Sequence, residues 1–127
     1  MRLRLSSLAV TLAVAATPVA AASGLRGIMK GWKADARMTR NMLNGDAKYD
    51  EAAVRAALQA YVTEAGQVAS RVNGQGAEAH DVKARFLEFQ ADAKAALGDV
   101  YRPAALKADF SRVAADCESC HSVYNND

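Results

Sequence analysis

VKARFLEFQADAKAALGDV, residues 82–100, places apolar side chains at Val82, Phe86, Phe89, Ala93, Leu97 and Val100. The steps are four, three, four, four and three. Such steps return to one side of a helix with 3.6 residues per turn; on a strand they would scatter over both faces. The pattern repeats on either side. Upstream it takes in Val54, Leu58, Tyr61, Ala65, Val68 and Val72; downstream, Leu106, Phe110, Val113, Cys117, Cys120 and Tyr124. A less regular set, Leu25, Ile28, Met29, Trp32, Ala36 and Leu43, precedes them. Four amphipathic helices, one stripe each, predict an all-α chain whose stripes meet in a common core.

The breaks between stripes are legible too. Asn44-Gly45 offers a helix stop, and Asp50 an N-cap for the next helix. Asn73-Gly-Gln-Gly76 is a second, short turn, and Pro103 suits the first position of the last helix. Connections this short favour antiparallel neighbours, hence an up-down-up-down four-helix bundle. The 127 residues suit one domain, with 51% hydrophobic but only 6% aromatic residues. Much of the apolar content is alanine, which forms helices well but fills little volume.

Residues 1–22 read differently. Arg2 and Arg4 precede the apolar run LAVTLAVAA, Leu8–Ala16; Pro18 interrupts it, and Ala20–Ala22 offer small residues for cleavage before Ser23. This is the layout of a secretory signal peptide, with an uncleaved anchor as its rival. It predicts export, most simply to a bacterial periplasm, and a domain over residues 23–127 with no stable membrane span after cleavage. Cleavage removes two of the 16 Lys+Arg, leaving 14 against 14 Asp+Glu. Without a basic patch interleaved with aromatics, nucleic acid is not expected as a partner.

The two cysteines of the chain stand at Cys117 and Cys120, with His121 next, in CESCH. Cys-x-x-Cys-His is the c-type haem attachment signal. Two thiols form thioethers with the vinyl groups of haem, and the following imidazole reaches the iron. At i and i+3 the cysteines share one side of a helix. Two rival readings are weaker on chemical grounds. A thiol-redox pair needs no histidine and opens a helix in a βαβ setting. A zinc site wants about four ligands, and adjacent Cys120 and His121 chelate poorly together.

The second axial position decides what an iron there could do. Its candidates are Met29, Met38, Met42 and His80. In the expected bundle the first and last helices are antiparallel neighbours, so a haem near the end of the last faces the start of the first. Met29 lies there, on the stripe of Leu25 and Trp32. Met38 is nine residues on, about 13.5 Å along the axis and on the opposite face. Periodicity leaves Met29 as either a ligand or a core-filling side chain, and Trp32 as either a wall of the porphyrin site or plain core. His80, after a Gly-rich turn, reads as a surface residue.

These features resemble the class II c-type cytochromes, the cytochrome c′ and cytochrome c-556 group, over all of residues 23–127. The resemblance rests on the haem motif near the C-terminus, on NGDAKYDEAAV (Asn44–Val54), and on CESCHSVY with Tyr124 three residues after the histidine. It implies covalent haem c on Cys117 and Cys120, His121 as proximal ligand, and Met29 at the distal position twenty residues before Tyr49. It further implies a monohaem, low-spin His/Met electron carrier rather than an enzyme, passing electrons between redox partner proteins, with pairing into a homodimer known among relatives. The alternative within the group is a five-coordinate cytochrome c′ that binds NO or CO. Asn125 departs from the basic residue that many cytochromes c′ carry four positions after the histidine, and Leu25 stands where a basic residue is common.

Overall fold

A computed structural model describes residues 24–124, which form four α-helices and no strand. The signal-peptide reading of residues 1–22 and the departure at Asn125 lie outside the described residues. The helices are α1 (Gly24–Leu43), α2 (Glu51–Arg71), α3 (Ala77–Leu97) and α4 (Pro103–Tyr124). No described helix is long and apolar enough to cross a membrane.

Local chemistry sets these limits. Gly45, at φ +83°, turns the chain out of α1, a backbone region that costs a residue with a Cβ. Asp50 caps α2, its carboxylate accepting from Ala53 N at 3.1 Å. Gly74 (φ +120°) turns the chain between α2 and α3. Pro103 opens α4, where its missing N–H costs nothing.

Each helix packs chiefly on its neighbours in sequence, and α4 returns to α1, so the four close a ring. The neighbours run antiparallel. Tyr61, ten residues into α2, donates to the carbonyl of Trp32, eleven residues before the end of α1, at 3.0 Å. At one end of the bundle the α1–α2 and α3–α4 connections are joined by a hydrogen bond from Tyr49 Oη to the Val100 carbonyl.

The expected stripes form the core: Val54, Leu58, Tyr61, Ala65, Phe86, Phe89, Ala93, Val100, Leu106, Phe110 and Val113 are buried. Their packing is uneven. α2 and α3 make the closest seam, with Ala57, Ala65, Ala69, Ala93 and Ala96 buried in the core around it. The seam between α1 and α4 is the sparsest of the ring. Accordingly, of the expected α1 stripe only Trp32 is fully buried, Met29 is half-buried, and Leu25 stays 51% exposed. Two polar residues that periodicity did not mark, Thr39 and Asp109, are buried as well. Asp109 accepts from Arg112 one turn on.

Candidate functional site

Trp32 sits at the centre of the molecule's aromatic cluster. Its ring stacks on Phe89 at 4.6 Å and meets Tyr61 edge-on at 5.5 Å and Phe86 edge-on at 6.3 Å. This cluster comes from three helices and forms the floor of a cavity at the end of the bundle away from the Tyr49–Val100 bond.

The cavity, about 30 Å³, is lined by Met29 and Trp32 from α1, Arg85, Phe86 and Phe89 from α3, and Asp116, Cys117, Cys120 and His121 from α4. All four residues expected to hold a cofactor and its iron therefore line one space, although Met29 and Cys117 are far apart in sequence. The antiparallel return of α4 along α1 brings them together. Met38 and His80 do not line it. Met42 belongs to the other end, where its Sδ accepts from Asp50 N at 3.4 Å. His80 is exposed, as expected.

Burial pushes the Cys117 thiol up to about 11, helped by neighbouring Asp116 and Cys120. Burial also raises Cys120, against an opposing pull from Arg85. Both are held as neutral thiols. A reactive redox dithiol needs the opposite shift.

The helix end bearing the motif is tied to α3. Arg85 donates to Asp81 at 2.8 Å and to Ser119 Oγ, inside the Cys-x-x-Cys spacing, at 2.9 Å. Tyr124 donates to the same Asp81 at 2.6 Å, and the Arg85 guanidinium lies over its ring, 5.8 Å from the centroid. The bonds from Arg85 and Tyr124 hold the Asp81 carboxyl below its ordinary range. The sequence showed Asp81 and Arg85 only as an i,i+4 pair, which usually marks a solvated face.

Sequence reasoning also missed an acidic group beside the cavity. Carboxylate oxygens of Glu88, Asp92 and Asp116 lie within 4.8 Å of one another. Burial and the nearby carboxylates of Asp92 and Glu88 push Asp116 up to about 7. The i,i+4 spacing of Glu88 and Asp92 was a usable signal for half of this group; the approach of Asp116 depends on how α4 packs.

The donor set suits haem: two neutral thiols one turn apart, an imidazole next to them, a thioether facing from another helix, and aromatic walls. The enclosed space is water-sized, so a tetrapyrrole would enter along the α1–α4 seam, where the bundle has least packing to lose. No protein-family model matches this chain, and neither does any curated protein.

Proposed function

We propose that the chain is an exported, periplasmic monohaem cytochrome of the c-556 kind that carries electrons between redox partner proteins. The observation that carries this reading is the convergence of Met29 with Cys117, Cys120 and His121 on one cavity. Haem, when bound, supplies an iron that takes up and releases one electron. Cys117 and Cys120 would hold it covalently, and His121 and Met29 would offer its iron an imidazole and a thioether. Thioether and imidazole together would raise its reduction potential. Trp32, Phe86 and Phe89 would shield the group from water. The cysteines and the histidine of the cavity are assigned to holding this group, so no substrate conversion is proposed.

Haem staining after denaturing electrophoresis tests covalent attachment, since only a covalent group survives denaturation. Visible spectra of the oxidised and reduced protein test the ligands. The expected spectrum is low-spin, with the weak far-red ferric band of methionine ligation, and Met29→Ala should convert it to high-spin and admit CO to the reduced iron. A high-spin spectrum in the unaltered protein would sink the His/Met assignment in favour of the gas-binding cytochrome c′ alternative. A low-spin Met29→Ala protein would point to another ligand.

A further inference from the structure

Trp32 also lines a second space, a groove of about 540 Å³ between α1 and α2. Its walls include Ile28 and Ala60, and two carboxylates, Asp35 and Glu64, face it. No atom lies within 4 Å of where a Gly31 side chain would begin, so the α1 side is open. The size falls in the range of small-molecule sites, roughly 300–1,000 Å³.

Three polar groups here lack partners. Asp35 and Glu64 are half-buried, and neither is in an ion pair among the described residues. Burial raises both carboxyls above their ordinary range, and the Asp35 charge raises Glu64 further. Trp32, only 7% exposed, has its indole Nε1 on the Glu64 side, near enough to draw that carboxyl's pKa down without reaching it in a hydrogen bond.

We propose that this groove binds a small aliphatic amine, its ammonium held between Asp35 and Glu64 and its methylene chain over Ile28 and Ala60. The chemistry selects this class. Two mutually repelling carboxylates attract a cation and reject an anion. A calcium ion wants six to eight oxygen ligands, more than this pair supplies. The apolar wall rewards a hydrocarbon tail. An ammonium beside Glu64 favours its ionised form. The site does not depend on haem.

The chain has one tryptophan, so a ¹⁵N spectrum of the protein as purified carries one indole resonance. Titration with n-butylamine should shift that resonance saturably, while n-butanol, which keeps the tail and loses the charge, should not. Asp35→Asn and Glu64→Gln should each weaken binding about tenfold or more, as expected for loss of a charged hydrogen-bond partner. Absence of a saturable shift overturns the proposal, as does equal response to butanol or unchanged binding in both variants. A shift that follows protein concentration without amine also overturns it, in favour of self-association through this face. Circular dichroism checks folding; if one variant fails to fold, the other and the butanol comparison still decide.

Discussion

Asp116 carries a sign that pH can read. Its folded pKa, about 7, lies above its ordinary value of 3.8. Between those values the folded chain keeps a proton that the unfolded chain has released, so stability is higher on the acid side and falls as pH rises through about 7. Asp116→Asn imitates the protonated form. It should raise the melting temperature most at about pH 8, less at about pH 5 and little at about pH 3, below both values; an equal shift at the two extremes would show that this carboxyl does not titrate between them. At Tyr61 the hydroxyl donates to the Trp32 carbonyl in a buried setting. Tyr61→Phe should cost about 1 kcal/mol in urea unfolding, and an unchanged midpoint would mean that the bond adds no net stability. Neither effect was legible in the sequence. Tyr61 fell on an apolar stripe and Asp116 off it, and their partners come from other helices.

The elements themselves were largely written in residue order. Asp50, Gly45 and Pro103 stop and start helices through their own backbone chemistry, which needs no tertiary partner. Asp50→Ala should therefore cost about 1 kcal/mol, by loss of the bond to Ala53 N; equal urea midpoints for the two proteins would show that water replaces the cap. Stripes at Val54–Val72 and Val82–Val100 predicted the buried faces of α2 and α3 for the same local reason. What periodicity could not convey was how near those faces come. The buried alanines do that, and Ala65 is fully buried among them. Ala65→Leu should overpack the core at a cost of about 1–3 kcal/mol; a neutral result would mean that the helices part readily there.

At the scale of the whole molecule the bundle is tight along α2 and α3 and slack along α1 and α4. Amide exchange should be fastest in α1; uniform protection across all four helices would refute the slack seam. The same asymmetry separates what was legible in the site from what was not. Cys117, Cys120 and His121 announce themselves by spacing alone. Met29 needed the fold, because only antiparallel neighbours put residue 29 opposite residue 121. Arg85, Ser119 and Tyr124 needed the packed side chains.

The Tyr49–Val100 bond fastens one end of the bundle, and the cavity lies at the other. That makes α1 a lever with its fulcrum near Leu43. Met29 is fourteen residues from that point, about 21 Å along the rod. A tilt of about 5° would carry it sideways by about 2 Å, while residues near the fulcrum hardly move. Small angular play at a fixed joint thus becomes travel at the sulfur, and Trp32, held midway along the rod by its stack on Phe89 and the bond from Tyr61, limits that play.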